Sequence, residues 1–535
     1  MPAATAHETP PASPEHPESP RRLRILFVVE RGALLRFPLL IPALAERGHE
    51  VHIAFVLGAE WRTDRPPELP LRTQRLVDEL CERYPNVHWA YAPQRAGGGW
   101  YRVAWLSRAL ADLAHNADPR YTGADVLRRR TKKRILGRLE KGGDFEPVSR
   151  RLFLRSASQL TKKTDAERSA RMLEVATRLE DAVPSSSEVD RFVRELAPDV
   201  VVVTGTFRHV SSEVELLKSA RALGIPAGIF VTSWDNLTNK GSLKFVPERV
   251  FVWNEVQARD AVELHRIPRE RVRLTGAHVF DEWFERQPTR TREELLAEIG
   301  LDPAEPYLVY LCSSRNVARP SEVEFVQSWL QAIRSSEDVR LRRIGTVVRP
   351  HPNADRQWQG VELPGANAVV WPRTGAHPVA QQARADFFDT LAHSAAVVGI
   401  NTTAMIEAAI LGKTVLTVLV PEFAQETTLH FHNLKVENGG FLHVAADLGE
   451  HVGQLGSVLA EDGAGAERRR AFVESFVRPG GVDRPAAPIG AAAIEELADV
   501  PVEGGTGART LALRGVLAVD AGLNVAYGAY RRTRT

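Results

Sequence analysis

Short apolar runs recur along the chain, and each ends in small or polar residues. Ile25–Val29 is the first, Val200–Val203 in "APDVVVVTGTF" another, and "IPAGIFVTSWDNLTNKG" and "RVFVWNEVQARDAVELHRIP" continue the pattern. Runs that stay apolar rather than alternating predict strands buried on both faces, as in a parallel sheet. Between them the period changes to that of helices. "LAERGHEV" ends one helix at Gly48 and opens the next strand at Val51, so the first unit reads as strand, helix, strand with a right-handed crossover. After a charged, proline-containing stretch the series restarts at "PYLVYLCSSRN" and runs through "RIGTVVRPHPN", "AVVWPR", "DFFDTLAHSAAVVGINTTAMIEAAILGKTVLTVLVPEF" and "GFLHVAADL". The expected fold class is α/β, with two Rossmann-like doubly wound domains facing a cleft.

The expected organisation follows from these shifts. Residues 1–22, rich in Pro, Glu, Ser and Ala with no apolar core, predict a disordered tail rather than a signal peptide. An N-terminal domain spans 23–285, with a helical, basic insertion at about 100–190. A linker covers 286–304 and a C-terminal domain 305–480. A helix at 481–502 returns toward the first half. The segment 503–535, Gly-rich and then weakly amphipathic, is expected to be a flexible tail, with a place on a membrane surface as the alternative.

Composition narrows the picture only a little. The chain has 535 residues, 44% hydrophobic and 25% charged, and a net charge of +2. That suits two or three globular domains and names no partner. The charge is uneven, however. Arg128 to Lys163 holds thirteen Lys/Arg and three Asp/Glu. Such a run reads as a solvated helical face or as a surface for an anionic acceptor, a membrane face or nucleic acid. Two distant cysteines, Cys81 and Cys312, exclude a disulfide framework and a CxxC metal site and point to a reducing, cytoplasmic setting. No stretch has the length of a membrane span.

Candidate chemistry collects at strand ends, where open α/β sheets bind ligands. "GINTTAMIEAAILGKTV" delivers a strand to Asn401, Thr402 and Thr403, which open a helix. They read either as a plain N-cap or as a phosphate cradle. Glu407 shares a helix face with Thr403. Arg349, His351 and Asn353 in "VVRPHPN" combine a two-pronged anion ligand with a donor or acid–base group. Ser313 and Ser314 end the strand before them. In "SWDNLTNKG", Ser233, Trp234, Asp235, Asn236 and Lys240 share one loop, and Asp235 is a candidate general base, with an Asx-type turn as the alternative. Glu30, Arg31 and Gly32 follow the first strand without a GxGxxG or Walker pattern, which argues against NAD or ATP as the central ligand. Thr204 and Thr206 end another strand. Glu426, Thr427, His430 and His432 form a further loop. Its HxH lacks the other ligands of a metal site, so a substrate loop is the expectation and no metal is expected.

With "RPHPN", the strand–turn–helix at 396–418 and "RVRLTGAHVFDEWF" together, the chain resembles the GT-B glycosyltransferase superfamily. Its second half is similar to UDP-N-acetylglucosamine 2-epimerases and to CDP-glycerol glycerophosphotransferase-like capsule polysaccharide enzymes. The resemblance implies a glycosyltransferase moving a sugar from a nucleotide-activated donor to a glycan, lipid-linked or secondary-metabolite acceptor. The alternatives are an epimerase, a polyol-phosphate transferase, or a non-catalytic binding protein of the same fold. It implies that Ser313, Ser314, Arg349, Asn401, Thr402, Thr403, Glu407, Glu426 and Thr427 hold the donor, with Glu407 near the ribose. Arg31, Gly32, Thr204, Thr206, Ser233, Trp234, Asn236 and Lys240 would meet the acceptor, and His351, Asp235 and Glu30 would carry catalysis. No metal or other cofactor is implied beyond the nucleotide-sugar co-substrate, and no nucleic acid. The expected location is the cytoplasm, with peripheral membrane contact through Arg128–Lys163. The first loop lacks the "GTRPE"-like start of the epimerases and the "GH" of many GT-B transferases, and "GINTT" replaces the "DYSS"-like sequence of the glycerophosphotransferases.

Overall fold

The computed structural model describes residues 21–532 apart from 31, 57–67, 96, 141–144, 146, 163–164, 320, 374–380, 461–464 and 504–506. The tail expected at 1–22 therefore lies almost wholly outside the described residues. Two parallel sheets organise the chain. The first contains β1 (Arg24–Glu30), β2 (Glu50–Val56), β3 (Val87–Tyr91), β4 (Val200–Val203), β5 (Ala227–Phe230), β6 (Arg249–Val252) and β7 (Val272–Leu274), in the order β3-β2-β1-β4-β5-β6-β7. The second contains β8 (Tyr307–Leu311), β9 (Gly345–Arg349), β10 (Ala368–Val370), β11 (Ala396–Gly399), β12 (Val415–Val418) and β13 (Leu442–Ala445), in the order β10-β9-β8-β11-β12-β13. Strand order reverses beside β1 in one sheet and beside β8 in the other. Each reversal opens a crevice at the carboxyl ends of the strands, as the doubly wound reading expects. Val200–Val203 and Tyr307–Leu311 are buried at every position, which is why their sequences do not alternate.

Between β3 and β4 the chain inserts five helices: Gly98–His115, Asp125–Glu140, Pro147–Lys162, Ala166–Ala182 and Ser187–Leu196. Buried charges tie this insertion to the helix Glu213–Ala222 of the first domain. Arg108 pairs with Glu180 at 2.7 Å and with Glu215 at 2.5 Å, and Lys218 pairs with Glu180 at 2.9 Å. Every charge in the group has an opposite neighbour, which is the condition for leaving charges inside a protein.

The two domains meet through two passages of chain. The first leads out of β7 past Asp281–Glu285 and Arg292–Ile299, the latter started by a Thr291/Glu294 capping box. The second leads back through Arg478 to the helix Ala486–Leu497, which packs on Leu40–Glu46 and on β4–β6 of the first domain. Asp281 joins the passages. Its carboxylate takes two bonds from Arg478, at 2.7 and 3.0 Å, and accepts the Ala486 and Ala487 amides at 3.0 and 2.8 Å. Gly276, at φ +75, is required here, since a Cβ would come within 2.8 Å of Ala486.

The end of the chain departs from expectation. Within 503–535, residues Ala508–Arg532 form one helix seated on Gly98–His115 and Ala166–Ala182. The seating is close enough that a Cβ on Gly99 would strike the Ala521 carbonyl. This segment is not a loose tail, because its Arg514, Asp520 and Asn524 find partners on the insertion. Among the described residues, no helix is long and apolar enough to cross a membrane.

Candidate functional site

A cavity lies where the carboxyl ends of both sheets and the insertion converge. Trp234, Asp235 and Asn239 line it from the loop after β5, and Ser314, Asn316 and Val317 from the loop after β8. His351 follows β9, Asn401, Thr402 and Thr403 follow β11, and Thr427, Thr428 and His430 follow β12. Val126, Leu127 and Arg130 reach in from the insertion helix Asp125–Glu140.

The two domains touch along this wall. The Trp234 indole N–H donates to the Thr403 hydroxyl at 3.1 Å, and its ring meets His430 edge to face at 4.6 Å. The Thr238 hydroxyl bonds His430 Nδ1 at 3.0 Å. Asp235 is tightly held. Its Oδ1 accepts from Ser233 at 2.7 Å and from Asn236 at 3.5 Å, and its Oδ2 accepts from Asn239 at 3.1 Å. Burial pushes its pKa up, but His430, Lys240 and these donors outweigh that and set it at about 2. Asp235 is therefore a fixed carboxylate. Burial lowers His430 to about 4, so its ring is neutral at pH 7.

The cavity is also lined by donors. Arg130 donates to the Asn239 backbone carbonyl at 3.0 Å and to its side-chain oxygen at 3.3 Å. No carboxylate lies within ion-pair distance of it among the described residues. Burial and then Arg134 lower its pKa, Asp235 opposes that, and Arg319 adds further repulsion. His351 Nδ1 accepts the Asn353 amide at 3.1 Å, so the neutral ring carries its proton on Nε2 and is a donor. Burial lowers its pKa as well. The Thr427 hydroxyl is buried without a hydrogen-bond partner among the described residues. The Asn401 side chain is spent on the Ala424 carbonyl at 2.9 Å and on Thr428 at 3.3 Å, which shapes the turn rather than capping the helix.

Of the residues singled out from sequence, His351, Asp235, Ser314, Asn401, Thr402, Thr403, Thr427 and Trp234 share this cavity. Ser233 and Asn236 lie behind it and position Asp235. Ser313 lies behind Asn401, whose amide its hydroxyl accepts at 3.4 Å.

The others are placed elsewhere. Arg349 is buried against Asp386 at 2.8 Å and Thr390 at 3.0 Å, so its guanidinium is committed to the domain's interior and does not face the cavity. Glu426 pairs with Lys435. Thr204 donates to the buried Glu213, and Thr206 accepts the Lys244 amide. Glu30 ends β1 in an ion pair with Arg208 at 2.9 Å. Exposed Lys240 sits 5.5 Å over the Phe207 ring. Gly32 precedes a short turn with open space around it, and Arg31 lies outside the described residues. Glu407 is half-buried beyond the cavity lining. Burial raises it to about 7, with Arg36 of the first domain pulling the other way.

Arg130, Asn239, Asn316 and Thr428 line the cavity without having been singled out. Arg130 sat inside a basic run that reads as surface, and only the insertion's docking turns it inward. His430 was noticed only as half of an HxH pair. Glu50, His52 and His88 could together ligate a metal. They lie at the opposite, amino-terminal edge of the first sheet, and Arg24 already pairs with Glu50 at 3.2 Å.

No protein-family model matches the sequence, and no curated protein is similar to it in sequence. Solved structures do resemble it. A putative UDP-N-acetylglucosamine 2-epimerase from Listeria monocytogenes is 11% identical, over 91% of this chain and 100% of that one, with a TM-score of 0.48. The Neisseria meningitidis UDP-GlcNAc 2-epimerase bound to UDP-GlcNAc is 10% identical, over 89% and 99%, with a TM-score of 0.45. A glycosyltransferase from Rickettsia africae is 9% identical, over 94% and 98%, with a TM-score of 0.43. At such identities and scores these likenesses assign neither reaction nor ligand.

Proposed function

We propose that the protein is a glycosyltransferase that moves a sugar from a nucleotide-activated donor to an acceptor hydroxyl on a glycan, a lipid-linked saccharide or a secondary metabolite. One observation carries this reading. Arg130, His351 and Thr427 bring donors without an ion-paired acid into a cavity whose lining, among the described residues, holds a single carboxylate, Asp235. Desolvated donors that lack partners favour an anion in their midst, and a diphosphate suits their spread across both domains.

In this reading the acceptor oxygen forms a bond to the anomeric carbon as the bond from that carbon to the diphosphate oxygen breaks. Arg130 and the His351 Nε2–H take up the charge that develops on the leaving diphosphate, so no metal is needed for that step. Asp235 accepts a hydrogen bond from the acceptor hydroxyl, orients it, and takes its proton, which becomes strongly acidic as that oxygen bonds the anomeric carbon; its own donors fix the carboxylate. Transfer is favoured over epimerisation by basicity. Inverting a carbon requires removing its hydrogen, and the acceptors facing the cavity, Asp235 at about 2 and His430 at about 4, are weak bases.

The test is incubation of the purified protein with UDP-, GDP-, CDP- and CMP-sugars, reading nucleotide release and product stereochemistry. Release of nucleotide, slow with water and faster with an acceptor, is the expected result. Formation of an epimeric nucleotide sugar would replace transfer with epimerisation. Absence of both, together with no calorimetric binding of any nucleoside diphosphate, would end the reading.

A further inference from the structure

The C-terminal helix Ala508–Arg532 leaves an apolar face uncovered. Helices on a protein surface ordinarily bury their apolar stripe and show their polar one. Here the inward side holds polar groups beside Leu517 and Ala521, which pack on Trp100, Val103, Ala104 and Val183. Arg514 donates to the Ala182 carbonyl at 2.9 Å, Asp520 bonds Ser149, and Arg102 donates to the Asn524 carbonyl. The outward side carries Leu511, Val516, Val519, Leu523, Val525 and Tyr530, each at least half exposed. At 100° per residue these six fall on one half of the helix. Alanines and glycines fill the rest of that half, and Arg509 is the only charged residue among the described exposed positions of the helix.

The apolar surface continues onto the insertion. Ser149, bonded to Asp520, sits in the first turn of the helix Pro147–Lys162. Val148 and Leu152, one turn apart beside it, are each 57% exposed. Arg151 and Arg155 alternate with them and are exposed as well. An apolar strip about 30 Å long, flanked by cations and with no exposed carboxylate on its face among the described residues, has the composition of a helix that lies in a bilayer interface.

We propose that the outward half of Ala508–Arg532, with the adjoining Val148–Leu152 turn, is a docking surface for an anionic lipid bilayer. Charge decides between a bilayer and a second copy of the chain. A two-fold pairing of this face would bring arginines together with no exposed acid on the face, among the described residues, to receive them, whereas anionic headgroups complement them. The helix lies flat and does not cross the membrane. Docking in this way holds the catalytic domains at the surface where a lipid-linked acceptor would reside, but the surface itself is independent of the proposed reaction.

The full-length protein is tested by co-sedimentation with phosphatidylcholine vesicles, with and without about a third phosphatidylglycerol. Binding is expected with the anionic vesicles and should weaken with salt. Val519→Asp with Leu523→Asp should lower partitioning at least about tenfold. Arg151→Gln with Arg155→Gln should lower it several-fold and flatten the salt dependence. Failure to sediment at low salt would overturn the proposal, and so would unchanged binding by the aspartate variant. So would a dimer in light scattering that the aspartates dissociate without vesicle binding. A fluorophore on Val519→Cys, in a Cys81→Ser background, gives a readout that does not depend on the stability of the aspartate variant. Its emission should shift to the blue on anionic vesicles, and an unchanged aqueous spectrum would refute docking at this face.

Discussion

Two arginines of the insertion, Arg108 and Arg130, come from neighbouring helices and end in opposite circumstances. Arg108 is fully buried between Glu180 and Glu215, with Lys218 completing the group. Arg130 is partly buried and, among the described residues, bonded only to neutral oxygens of Asn239. The first holds the insertion to the helix Glu213–Ala222. The second leaves a positive field directed into the interdomain cavity. A buried charge with partners is structure, and a buried charge without them is an opening for a ligand.

Four substitutions sharpen or break this contrast. Arg108→Ala leaves Glu180 and Glu215 without their main cation and should cost about 3–5 kcal/mol of unfolding free energy, read by denaturant titration. A loss below about 1 kcal/mol would mean that the network is not a staple.

Arg130→Ala should leave the melting temperature unchanged or raised, since a desolvated cation without a counter-ion is removed. Its effect should appear in calorimetry, as about a 10- to 100-fold weaker affinity for a nucleoside diphosphate. Affinity for the bare nucleoside should not move. Equal loss for both would place Arg130 away from the phosphates.

Glu407→Gln tests pH dependence. Its folded pKa of about 7 lies above the ordinary 4.5. Its contribution to stability is therefore fully present below about 4.5 and is lost as the pH rises through 7. The glutamine variant should lack that decline, a difference on the order of 1–2 kcal/mol near pH 8. Parallel stability–pH curves for the two proteins would show that the carboxyl is not desolvated.

Thr427→Val removes a hydroxyl without a partner and should leave stability unaltered. It should weaken diphosphate binding by about 0.5–1.5 kcal/mol, measured in the same calorimetric series.

Much of the fold was legible because parallel strands buried on both faces leave uninterrupted apolar runs, as in Val200–Val203. Half of the candidate site was legible for a related reason, since cavity-lining residues such as His351, Asp235 and Thr403 follow strand ends. What failed was direction. Arg349 also ends a strand, yet it turns toward Asp386 and Thr390. A strand places successive residues on opposite faces, and sequence position alone does not say which face meets the cleft. Arg130 was hidden because its role depends on how an insertion docks from more than a hundred residues away. The C-terminal helix was missed because its periodic stripe is faint: apolar residues lie on its outward face and also, as Leu517 and Ala521, on the packed one.

The paired passages between the domains have one more consequence. The chain enters the second domain after β7 and returns through Arg478 to a helix built into the first. The first domain is thus sewn together from both ends of the sequence. Cutting the single segment 286–304 would not release the second domain, because the returning helix, gripped by Asp281, still tethers it. Separation would need two cuts. Relative motion of the halves is therefore a swing about two adjacent threads rather than a free separation on one hinge.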